Sequence, residues 1–60
     1  MNVLMIVEEL ACSGAVSLGN CSHRTVQRWA KRVNEYLEAN KYEWRVKPNI
    51  NNNAIEVCNE

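Results

Sequence analysis

Glycine and proline are scarce in this sequence, two of the first and one of the second among 60 residues. That scarcity excludes a scaffold made mainly of loops. No uninterrupted apolar run exceeds Val3 to Val7, far short of the ~20 residues needed to cross a bilayer, so no membrane partner is expected. Met1-Asn2 supplies no basic start and Glu8-Glu9 interrupt the apolar stretch, which argues against a secretory leader. Three cysteines are an odd number, and a secreted disulfide scaffold avoids one. A reduced, cytoplasmic protein is expected. Net charge is missing as well, because seven basic and seven acidic side chains cancel.

Length sets further bounds. Sixty residues make a single domain, 1–60, whose folding removes only ~60% of the unfolded chain's surface. A substrate pocket of ~300 Å³ or more needs walls from several elements, so a binding role is expected and an enzyme is not. The composition, 47% hydrophobic and 23% charged, is that of a folded soluble domain and excludes wholesale disorder.

The most informative stretch is Ser22 to Ala39. Ser22 can accept bonds from the free amides of a first helical turn. Val26, Trp29, Ala30, Val33, Tyr36 and Leu37 then recur at the spacing of one helical face for three turns. Asn40 is the expected stop. Beyond it, Tyr42, Trp44 and Val46 alternate with Glu43, Arg45 and Lys47, and Ala54 to Cys58 alternates again, the period of half-buried strands. Asn49-Ile50-Asn51-Asn52-Asn53 between them reads as a turn, since asparagine tolerates left-handed backbone angles. Together these runs predict a β-hairpin, and a lone hairpin is barely stable in water. It is expected to pack on the long helix, with Trp29 and Trp44 as anchors. Upstream, Leu4 to Ala11 fits a short helix, with a strand over Asn2 to Val7 as the alternative. A second short helix is expected around Ala15 to Leu18, ended by Gly19-Asn20.

The long helix also carries the chemistry. Opposite its apolar stripe sit Arg24, Gln27, Arg28 and Lys31, with Arg32 flanking. No acidic residue appears until Glu35 and Glu38, so a neutral chain hides a sharp asymmetry. Cations near a helix start suit nucleic acid: they displace counterions from phosphate, and the helix dipole adds its own attraction. Arginine forks onto guanine, and glutamine pairs with adenine. His23 in the first turn is placed to touch phosphate. Arg45 and Lys47 on the hairpin, with Asn51 and Asn52 at its tip, are the expected backbone contacts. The plainer reading is a solvated helix face on which Lys31 pairs with Glu35.

The run Ser22-His23-Arg24-Thr25-Val26-Gln27-Arg28-Trp29 resembles the recognition-helix opening S-x-x-T-V-x-R-W of small winged helix-turn-helix proteins, the MerR-type DNA-binding domains and phage excisionases. The resemblance is specific over Ser22 to Val33. It implies Ser22 as cap, Val26 and Trp29 as core, and Arg24, Gln27 and Arg28 as readers of double-stranded DNA. Cys12 to Cys21 departs from the pattern, being longer than the tight turn the family uses. The implied architecture is α+β, with a short N-terminal helix or helices, one recognition helix and a two-stranded hairpin wing. The implied work is transcription regulation, site-specific recombination or replication. A module this small covers only ~600–1,000 Å² on DNA, so self-association or a cooperative protein partner is expected to supply specificity.

Two other readings compete. A small protein-interaction module would use the apolar helix face or add a strand at the hairpin edge. A structural zinc domain would use Cys12, Cys21, His23 and Cys58, but their spacing lacks the C-x2-C knuckle, and no metal or cofactor is expected. Catalysis has no support: Cys21 and His23 lack an orienting third residue, and no glycine-rich phosphate loop is present.

Overall fold

Asn2 sets the first helix. Its side-chain oxygen accepts the backbone N–H of Met5 at 2.9 Å, satisfying one of the amides a first helical turn leaves free. A computed structural model describes residues 2–58, and in it helix α1 runs Val3–Ser13. Ile6, Val7 and Leu10 form its buried face. The helix ends at Gly14, whose φ of 83° is a left-handed angle that suits glycine, and whose N–H bonds back to the Leu10 carbonyl at 2.8 Å. Of the two expected forms for this segment, the helix is the one adopted.

The second short helix does not form. Ala15–Ser17 is instead strand β1, with Val16 buried between exposed neighbours. The left-handed Gly14 turns the chain out of the helix, and a second left-handed glycine, Gly19 at φ 75°, leaves only a short segment between the two. So short a segment gains more from a ladder than from a nucleated helical turn. That ladder begins and ends outside the strand, with the Val57 N–H on the Gly14 carbonyl at 2.9 Å and the Leu18 N–H on the Asn53 carbonyl at 2.8 Å.

Helix α2 spans His23–Ala39. The Ser22 hydroxyl accepts the Thr25 N–H at 3.2 Å, as a cap should. Val26, Ala30, Val33 and Leu37 are buried, with Trp29 and Tyr36 packed partly against the same core. Its end is at Asn40, whose side-chain amide donates to the Tyr36 carbonyl at 2.9 Å, and Lys41 then takes a left-handed φ of 62°.

Strand β2, Arg45–Asn49, starts later than the alternation from Tyr42 suggests. The Tyr42 N–H still closes the helix end by bonding to the Leu37 carbonyl at 2.9 Å, and its ring meets Trp44 edge-on at 5.7 Å. Those aromatics alternate because they cover the end of α2, outside the ladder. The asparagine tract turns as expected, through the short 3-10 helix Ile50–Asn52 and a left-handed Asn53 at φ 49°. Strand β3, Ala54–Cys58, returns antiparallel to β2 with Val46 opposite Val57 and Pro48 opposite Ile55.

The expected two-stranded hairpin is therefore part of a three-stranded antiparallel sheet in the order β1-β3-β2. β3 lies in the middle, and Val16 faces Ile55 across its second edge. The architecture is α+β, two helices with one sheet. Ile6, Val7 and Leu10 from α1, Ala30, Val33 and Leu37 from α2, and Val16, Val46 and Ile55 from the three strands make one buried cluster. Both tryptophans pack against its margin.

Candidate nucleic-acid interface

At 3.6 residues per turn, burying positions 26, 30, 33 and 37 turns 24, 28, 31, 32 and 35 to the opposite side of α2. Arg24, Arg28, Lys31, Arg32 and Glu35 are all exposed there. None of the four cations takes part in a side-chain hydrogen bond among the described residues. The Arg32 guanidinium instead sits over the half-buried Trp29 ring, 5.9 Å from its centroid. Such a contact holds an exposed cation with ~0.5–1 kcal/mol while leaving its N–H groups open to an acceptor. Thr25, Arg28, Trp29, Lys31, Arg32 and Glu35 together line a shallow depression along this face.

Sequence reasoning missed the residue that ties this helix to the hairpin. The Asn34 side chain donates to the Val46 carbonyl at 3.0 Å and accepts the Val46 N–H at 2.8 Å. It thus acts as a neighbouring strand would, satisfying both backbone groups of a residue on the sheet edge. Nothing local signals this, because the partner lies twelve residues away and a mid-helix asparagine reads as a solvated one.

The 3-10 helix at the hairpin tip packs against α2, with Asn51 and Asn52 exposed on it. His23 and Gln27 are exposed as well and share the helix flank of Asn34.

The two hairpin cations differ. Lys47 is exposed opposite Glu56, and Glu56 accepts the Asn49 amide at 2.6 Å. Arg45 is half-buried and donates through one terminal nitrogen to the Tyr42 and Trp44 carbonyls at 2.6 and 2.8 Å, which clamps the bend before β2. The zinc set is not assembled. Cys12, Cys21 and Cys58 are free thiols, and no three potential metal ligands gather among the described residues. No helix among those residues is long and apolar enough to cross a membrane.

No family model, curated protein or solved structure matches this chain. The case for a function therefore rests on its own residues.

Proposed function

We propose that this chain binds double-stranded DNA as a winged helix-turn-helix-like domain, without catalytic activity, α2 entering the major groove and the β2–β3 hairpin lying on the adjoining backbone. The observation that carries the reading is the solvent face of α2, where Arg24, Arg28, Lys31 and Arg32 stand exposed and unbonded among the described residues. A helix of this width fits the major groove, and its first turns are the part that reaches base edges. Arg24, Gln27 and Arg28 are the readers. Lys31 and Arg32 neutralise phosphate and His23 touches it, with Lys47, Asn51 and Asn52 on the wing side. Arg45 supports the wing from within, one terminal nitrogen of its guanidinium donating to the Tyr42 and Trp44 carbonyls.

The domain departs from a tight helix-turn-helix, because β1 and the loop to Ser22 occupy residues 14–22 between the helices. In this reading α2 is set by the sheet: Asn34 and the shared core do the positioning that a preceding helix does elsewhere. A domain of this size covers ~600–1,000 Å² on DNA, so site selectivity calls for a second protein unit. The binding would serve transcription regulation, site-specific recombination or replication. Free thiols are in keeping with a reducing, cytoplasmic setting.

The test is fluorescence anisotropy of a labelled random duplex titrated at several salt concentrations. The expected result is binding whose log affinity falls by about 0.9 per phosphate contact for each tenfold rise in salt. Absence of binding at low salt would return the basic face to a solvated surface.

A further inference from the structure

The two edges of the sheet are finished differently. In β2, the residues whose backbone groups point away from β3 are Val46 and Pro48, since the outward groups of Val46 are those taken by Asn34 and strand alternation carries the direction two residues on. Asn34 covers the first, and Pro48 has no N–H to offer. That edge is closed to another strand. In β1, Gly14 and Leu18 bond inward to β3, so alternation directs the N–H and C=O of Ala15 and Ser17 outward. No hydrogen bond among the described residues covers them. Beside them runs a groove lined by Met5, Ile6, Glu9, Ala15, Val16 and Ser17. Met5 is 59% exposed and its neighbour Leu4 53%, the largest exposed aliphatic side chains of the described residues.

We propose that β1 pairs with β1 of a second copy of this chain, antiparallel, about a two-fold axis through Val16. The register is self-complementary. Ala15 falls opposite Ser17 of the second copy and Ser17 opposite its Ala15, each pair exchanging both N–H···O=C bonds, while the two Val16 residues meet at the axis. Both outward residues are small and uncharged, so no side chain of the strand itself repels its own image, and the one charge lining the groove is Glu9 of α1. An uncharged open edge is one that proteins otherwise blunt with lysine or proline, as β2 does with Pro48. The pairing covers this groove in both copies and joins two three-stranded sheets into one. It stands on the β1 edge alone and does not depend on the DNA reading.

Sedimentation equilibrium of the full chain without DNA, at concentrations up to about 1 mM, registers any Kd below that value. The expected mass is twice 6.9 kDa. Ser17→Pro removes an outward donor and no bond to β3, and is expected to weaken the pair at least ~10-fold, the change that a loss of about 1.4 kcal/mol of pairing produces. Met5→Glu puts a carboxylate in the first turn of α1, where it suits the helix, yet adds like charge beside Glu9 in both copies. It is expected to leave a folded monomer by circular dichroism. A chain that stays at 6.9 kDa throughout, an open-ended series of larger species, or a dimer that both variants leave unchanged would overturn the proposal. Salt separates the two ideas: it weakens DNA binding and leaves this strand pairing intact.

Discussion

The two helices fill one core with their inner faces and carry opposite chemistry on their outer ones. α1 exposes Leu4, Met5, Glu8, Glu9 and Cys12, with no cation anywhere along it. α2 exposes Arg24, Gln27, Arg28, Lys31 and Arg32 before its first carboxylate at Glu35. A net charge of zero is therefore a sum over two unlike surfaces. What a chain this small can recognise is set by how charge is placed on its elements, and total charge says little about that. One helix is suited to a polyanion, while the other flanks an uncharged strand edge.

The inner faces are expected to be equivalent, and they carry the largest effects. Leu10 in α1 and Leu37 in α2 are 1% and 0% exposed. Truncating either to alanine is expected to cost about 2–5 kcal/mol through lost transfer energy and the cavity left behind. In a domain of marginal stability such a loss unfolds much of the population, and urea titration reads it directly. If Leu10→Ala cost much less than Leu37→Ala, α1 would be an appendage of a core built by α2 and the hairpin.

Outer faces are expected to diverge. Arg28→Ala should weaken binding to a specific DNA site by about 1–3 kcal/mol with little change in the urea midpoint, because Arg28 is exposed and bonded to nothing among the described residues. Glu8→Gln on α1 should leave DNA affinity unaltered apart from a small gain at low salt from the lost negative charge. Equal effects from the two substitutions would mean that DNA responds to overall charge and that α2 has no privileged contact. Asn34→Ala lies between these cases. It leaves the backbone groups of Val46 without their partner, an expected cost of about 1–3 kcal/mol in stability. It should also lower DNA affinity by freeing the hairpin, and that second loss separates an anchor of the wing from a merely stabilising bond.

Some of the fold and site is legible in the residues and some is not, for physical reasons. α2 is legible because its signals are local: an apolar period of 3.6, a serine cap, and a basic face whose carboxylates come only later. The asparagine turn is legible for the same reason, since Asn53 can take a left-handed angle. β1 is not. Three residues are too few to show a period, and their strand state comes from β3, some forty positions away in sequence. Tyr42 and Trp44 mislead, because aromatic packing on a helix end produces the same alternation as a strand. Asn34 and Pro48 are silent for a different reason. Their meaning depends on which way a backbone faces at the sheet edge, and a sequence does not display that before strand order is known. The cations of α2 are plain in the sequence, while the bond that holds that helix beside the hairpin is not.

Caps give the finest comparison of the two helices. Asn2 starts α1 and Ser22 starts α2, each accepting one amide, at 2.9 and 3.2 Å. Replacing either by alanine removes that acceptor and is expected to cost about 1 kcal/mol. The consequences should differ in place. Asn2→Ala frays the turn holding Met5, beside the β1 edge, and is expected to leave DNA affinity alone. Ser22→Ala loosens the turn holding His23 and Arg24, and should reduce DNA affinity beyond the shared loss of stability. Amide exchange at Met5 and Thr25 would track the fraying in each helix. If Ser22→Ala speeds exchange at Thr25 without touching DNA affinity, the first turn of α2 is no part of the contact, and the reading residues shift toward Arg28 and Lys31.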